Sequence, residues 1–183
     1  MLEQSMVAYC APTLAAMATG NLFTCPCESL EELHEQVNRC NGCLNSRGVL
    51  LRVLREGNGT ALVYVFRPKK LWNDLKAPGV MEFLMECGYH WESLCGLIRQ
   101  LAQRVGENGA FPHEIGLFLG YPLEDVKGFI DNKGTNYKCA GYWKVYSNEE
   151  QARQLFQKFR LCTQLYGQRF LQGLTVQQLT VVA

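Results

Sequence analysis

Nine cysteines and three histidines are the residues of this chain with the widest chemical repertoire. A thiol acts as nucleophile or metal ligand only as its thiolate, which a nearby imidazole or a helix N-terminus favours. Cys10, His113, Glu114 and Cys139 form a first candidate set, for a thiol-dependent catalytic site. His113 and Glu114 follow Pro112 in what reads as a first helical turn, where the helix dipole favours a carboxylate. A structural reading stands beside the catalytic one. In it Glu114 stabilises its own helix, His113 helps to cap it, and both cysteines fill the core.

A second set could hold a metal. Cys25-x-Cys27 and Cys40-x-x-Cys43 supply four thiols, and the i, i+3 spacing of the latter pair on a helix lets two sulfurs converge on one ion. The single residue between Cys25 and Cys27 is short of the usual spacing in tetrahedral zinc or iron–sulfur sites.

A third set suits a small molecule. Read as one strand, Tyr137 to Tyr146 places Lys138, Tyr142, Lys144 and Tyr146 on one face and Trp143 on the other. Aromatic rings with convergent cations are what a planar anionic ligand such as a flavin, a haem propionate edge or a nucleotide needs. Asn21 joins this set as a ligand-binding candidate. Lysine and tyrosine are also ordinary on the wet face of an antiparallel strand. There is neither a P-loop nor a dinucleotide-binding fingerprint, because Gly57-Asn58-Gly59 belongs to a hairpin.

The stretch 112–132 also has the rhythm of a helix-turn-helix, with Ile115, Leu119, Val126 and Ile130 as buried positions and Gly120 at the turn. Its second helix opens Leu123-Glu124-Asp125, whose carboxylates would meet phosphates with the wrong sign, so a structural helical pair is favoured over a nucleic-acid reader.

The elements that must position these residues alternate between helix and strand. The first segment reads as a helix re-started at Pro12 and stopped at Gly20, with Asn21 to Cys25 extended. Ser29 and Glu32 make a capping box for a helix from about Leu30 to Leu44. VLLRVLR and TALVYVFR flank Asn58-Gly59, which suits a type I′ turn. That turn sets Val53 opposite Tyr64, Leu51 opposite Phe66, Leu54 opposite Val63 and Arg52 opposite Val65. Both faces of such a hairpin are largely apolar, which places it in the middle of a sheet with helices over it. Stretches 69–87 and 91–105 read as helices, 112–132 as two short helices broken at Gly120-Tyr121-Pro122, and 137–146 as a strand. Ser147 and Glu150 form a second capping box, opening a long helix whose apolar face, Ala152 to Tyr166, is set to pack on the sheet. The expected fold is α+β in one domain, with a mostly antiparallel sheet of about four strands covered by helices.

With 183 residues, 48% of them hydrophobic, the chain can build one core. Its 18 basic against 17 acidic side chains give no field that would draw it to nucleic acid or an anionic membrane. Glu3 stands where a signal peptide carries positive charge, and no apolar run approaches the roughly 18 residues that span a bilayer. A cytosolic location with reduced thiols and no membrane partner is the expectation.

The runs FPHEIGLFLGYPLEDVKGFIDNKG (111–134) and YKCAGYWKVY (137–146) resemble a bacterial family of proteins of unknown function, the domain-of-unknown-function family 3793. CAPTLA (10–15), GNLF (20–23), VYVFRPK (63–69) and the closing LTVVA fit the same pattern, so the resemblance covers essentially the whole chain. It implies no activity, cofactor or ligand. Where the family commonly carries a histidine before CAPTL and a lysine before NLF, this chain has Tyr9 and Ala18, and no role passes to either. Cys10, His113, Glu114 and Cys139 all lie in these segments. The functional expectation is therefore a small-molecule or cofactor-binding protein, or a thiol-dependent enzyme, with its pocket between the 112–132 pair and the 137–146 strand. The alternative is a nucleic-acid-binding or regulatory module built on the helical pair.

Overall fold

Asn58 and Gly59 both have positive φ, 53° and 70°, in the computed structural model, which describes residues 2–106 and 111–183. This is type I′ geometry, and it joins β2 (Leu50–Gly57) to β3 (Thr60–Phe66). The turn dictates the first three pairs: Gly57 opposite Thr60, Glu56 opposite Ala61, Arg55 opposite Leu62. Leu54 then has no partner, and beyond it the register slips by one, so Val53 faces Val63, Arg52 faces Tyr64 and Leu51 faces Val65. The register expected from the turn alone fails here because of this bulge. The extra residue lets Leu54 join Leu62, Tyr64 and Phe66 in the core on one face, while Leu51 and Val53 serve the other.

β1 (Gly20–Pro26) pairs antiparallel with the free edge of β3, giving the order β1-β3-β2. β3 is thus central and is buried from Ala61 to Phe66, as a strand with two apolar faces must be. One face carries Phe23, Val63 and Val65 under α1 (Leu2–Leu14), α2 (Leu30–Leu44) and the short α9 (Val176–Leu179). The other carries Leu62, Tyr64 and Phe66 under α3 (Pro68–Leu75), α4 (Val80–Glu86), α5 (Leu94–Gly106), α6 (Ile115–Phe118) and α7 (Leu123–Asp131). The architecture is α+β. Instead of a fourth strand the sheet has a separate two-stranded hairpin, β4 (Cys139–Ala140) and β5 (Lys144–Val145).

Four local expectations are corrected. α1 runs unbroken through Pro12, and the reversal after it is made by Ala16 at φ 59°. Gly20, not a helix stop, is the first residue of β1, where a Cβ would stand 2.6 Å from the Tyr64 ring. α8 (Glu149–Leu171) is capped by Asn148, which accepts from Gln151 N at 3.1 Å, while Ser147 N is held by Asp125. α8 also packs chiefly along α1 rather than on the three-stranded sheet; its first turns bury Ala152 and Phe156 against the β4–β5 hairpin, and Phe159 and Cys162 are buried further along.

A buried guanidinium helps to fix the C-terminal segment. Arg67 donates to the Thr13 and Leu14 carbonyls at 2.7 and 2.8 Å and to the Val181 carbonyl at 2.7 Å. It so satisfies the free carbonyls at the end of α1 while tying the closing residues to them. Among the described residues, no helix is long and apolar enough to cross a membrane.

Candidate functional site

Two glycines and an aspartate bring the signature segments together. Gly120, at φ 82°, ends α6 against the side chain of Thr19, where a Cβ would collide. Thr19 in turn donates its hydroxyl to Asp74, and the Tyr64 hydroxyl donates to the Phe118 carbonyl, so the helical pair is anchored to the sheet. At Gly116 a Cβ would stand 2.8 Å from Val126, so α6 and α7 approach closely there. Asp125, in the first turn of α7 and 2% exposed, has both oxygens engaged. Its Oδ1 accepts from Tyr146 N and Ser147 N at 2.8 and 2.7 Å, and its Oδ2 from Trp143 Nε1 at 2.7 Å.

The segment 137–146 is not one strand. It doubles back at Gly141, whose N–H donates to the Trp143 carbonyl at 3.0 Å and whose missing side chain makes room for the Phe156 ring. Cys139 then pairs with Val145 and Ala140 with Lys144. The single face expected for Lys138, Tyr142, Lys144 and Tyr146 does not exist. Lys138 donates to the Ser147 carbonyl at 2.6 Å and the Tyr146 hydroxyl to the Thr135 carbonyl at 3.0 Å, both outside the hollow described next.

Between the helical pair and the hairpin lies a cavity of about 400 Å³, walled by His113, Val126, Phe129, Tyr142, Trp143 and Lys144. The rings are held by one another. Trp143 stacks on Tyr121 at 4.7 Å and meets Phe156 edge-on at 4.6 Å, Tyr142 meets Phe159 edge-on at 5.0 Å, and His113 lies 4.8 Å from Phe129. The Tyr121 hydroxyl donates to the Tyr142 carbonyl at 3.2 Å, and burial pushes its pKa up to about 12. Tyr121 and Trp143 also border a smaller, more polar cavity of about 180 Å³ that contains Asn21, Lys70 and Asp74. Asn21 uses its Oδ1 to accept from the Thr13 hydroxyl at 2.7 Å and belongs to this second hollow.

The proposed catalytic set is not brought together. Cys10 is fully buried on α1 in the core face with Met6, Leu14 and Val63, and burial raises its pKa far above the ordinary thiol value. Cys139 is buried against Val145 and Phe156 beneath the hairpin. Neither sulfur lines the cavity. Glu114 turns away from His113, since neighbours on a helical turn point about 100° apart. Its Oε1 accepts from the Tyr89 hydroxyl at 3.3 Å and lies 3.7 Å from Arg104. His113 alone of the four reaches the cavity.

The cysteine pairs do not form a metal centre either. Among the described residues, no three His, Cys, Asp or Glu side chains gather as a metal would need. Cys25 is buried at the sheet with its sulfur 3.8 Å from the Ala61 carbonyl, and Cys27 donates to the Ser29 carbonyl at 3.4 Å. Cys40 and Cys43 border a different hollow of about 530 Å³ where α1, α2 and α9 meet. That hollow is larger than the aromatic one, but exposed, unfixed chains such as Glu3, Arg39 and Gln177 form much of its wall. Burial, with Glu3 nearby, pushes Cys40 up to about 11.

Asp125, Tyr121 and Phe129 are the site residues that sequence reasoning missed. An acid in a first helical turn is ordinary, and nothing in its spacing announces donors 18 to 22 residues onward. Comparison with curated proteins and with solved structures found no match. The family model for DUF3793, proteins of unknown function, matches residues 6–180, and the chain belongs to that family.

Proposed function

We propose that this protein binds a planar small molecule or cofactor in the groove between the α6–α7 pair and the β4–β5 hairpin. The observation that carries the reading is the cavity of about 400 Å³ whose ring-bearing walls are immobilised by stacking and by Asp125. A mostly apolar hollow of a few hundred Å³ with a few convergent polar groups is the usual form of a small-molecule site. No cysteine lines it, so binding is favoured over thiol catalysis. The nucleic-acid alternative draws no support from α7, which exposes Glu124 in its first turn while Asp125 and Val126 are buried.

Isothermal titration of flavin mononucleotide, haemin and adenosine monophosphate tests this. At least one should bind with a Kd below about 100 µM, an ordinary affinity for a small preformed pocket. Ala140→Trp should weaken that binding at least about tenfold by filling the mouth from an exposed position. No binding by any of the three, or binding indifferent to Ala140→Trp, would remove the reading.

A further inference from the structure

We infer that Lys144 selects for negative charge on the ligand: the groove takes a planar ring system carrying a phosphate or carboxylate in preference to its neutral counterpart. The inference rests on the groove reading above and adds the ligand's charge to it.

A cation stands on the wall of an aromatic cavity with no ion-pair partner among the described residues. Lys144 is half-buried on β5, opposite Ala140. Its Nζ donates to the Gly134 carbonyl at 2.7 Å and lies 5.6 Å from the centre of the Phe129 ring and 5.0 Å from that of Tyr137. Among the described residues no carboxylate oxygen approaches it within ion-pair distance. Asp125, the acid of this wall, already receives three N–H donors. An ammonium carries three protons, and one is used by Gly134.

The fold works to keep this charge in place. Between α7 and β4 the backbone takes positive φ at Lys133 (49°), Gly134 (73°) and Asn136 (58°), two of them at residues with a Cβ, where that conformation is uncommon. The loop so formed presents the Gly134 carbonyl to the ammonium, which is therefore not swinging free in water as a surface lysine does. Cation–π attraction from two rings holds the charge but does not neutralise it. A fixed, partly desolvated ammonium with unused protons is suited to donate a charge-assisted hydrogen bond to an anion. Lys138, immediately before β4, is by contrast exposed and outside the cavity.

Ligand pairs that differ only in the anion test the inference by isothermal titration on the full chain. Flavin mononucleotide against riboflavin and adenosine monophosphate against adenosine probe a phosphate; haemin against its dimethyl ester probes carboxylates. The wild type should bind the anionic member of at least one pair about tenfold or more tightly, as a hydrogen bond to a charged group implies. Lys144→Met should bring that ratio close to one, whereas Lys144→Arg and Lys138→Met should keep it. A wild-type ratio near one in every pair that binds, or a preference that survives Lys144→Met, overturns the inference and leaves the groove standing. Should neither member of any pair bind, the groove reading falls and this inference with it. The wild-type ratio decides by itself, so the test survives a loss of folding in Lys144→Met.

Discussion

Two of the hollows among the described residues, the aromatic groove and the cleft between α1, α2 and α9, differ in how their walls are made. At the aromatic groove the hairpin's wall residues each have a partner that fixes them: Trp143 is held by Asp125 and Tyr121, Lys144 by Gly134, Tyr142 by Phe159. At the cleft between α1, α2 and α9 the wall includes exposed Glu3, Arg39, Cys43 and Gln177, side chains of different elements left facing water. The cleft has more volume and the groove more order. A ligand gains affinity where the protein need not give up side-chain freedom to hold it, so the fixed hollow is the better site despite its size.

Removing the groove's central fixture should have the largest effect. Asp125→Ala leaves Trp143 Nε1, Tyr146 N and Ser147 N without their acceptor, and should cost about 3 kcal/mol or more in urea-unfolding stability, with loss of groove binding. Arg39→Ala, in the cleft wall, should stay within about 0.5 kcal/mol of wild type. Equal effects at the two positions would mean that the contrast between the walls is not energetic. Next in size is Gly141→Ala, where the added methyl meets the Phe156 ring. Overpacking of this kind costs about 1–3 kcal/mol, and since Phe156 backs Trp143 the affinity of the groove should fall along with the melting temperature.

These two positions also mark where sequence reading succeeds and where it stops. Asn58-Gly59 named its turn because two consecutive positive φ angles leave few residue choices, and the continuous burial of Ala61 to Phe66 follows from apolar side chains on both faces. The break at Gly120-Tyr121-Pro122 was legible for the same local reason. Signals local to a few residues survive in the sequence; signals that depend on distant packing do not. Gly141 reads as one more position of an alternating strand until the Phe156 ring, from a helix that begins later in the chain, occupies the space its side chain would need. The Leu54 bulge, likewise, answers to core volume on the far face, not to the turn that sets the first three pairs. The hollow beside His113 and Lys144 was anticipated as a juxtaposition of two segments. Its partners Tyr121, Phe129 and Asp125 required the third dimension.

The smallest expected effect sharpens the contrast most, because it asks whether the two hollows communicate. Cys43 is exposed on α2, Cys40 beside it is partly covered, and Cys10 is fully buried. Only the thiolate alkylates, so with Cys40 raised from 9.0 to about 11 its labelling should lag that of Cys43 at pH 8 and climb about tenfold per pH unit toward 11. Cys10 should label only upon global unfolding. The sign for stability follows from the same protons. A thiol whose folded pKa exceeds its unfolded value stabilises the fold fully below about pH 9, and that contribution disappears as pH rises through about 11, for Cys40 and for Cys162 alike. Urea midpoints should accordingly hold to pH 9 and decline above it. Peptide mass spectrometry after a short iodoacetamide pulse gives the order of labelling. Ligand titration of the Cys43-modified protein then gives the coupling, which should be within about 0.5 kcal/mol of zero for sites that share no wall residue. A groove that lost its ligand when Cys43 was capped would show that α2 and the hairpin move together, and the cleft would then be part of the site's mechanism rather than its contrast.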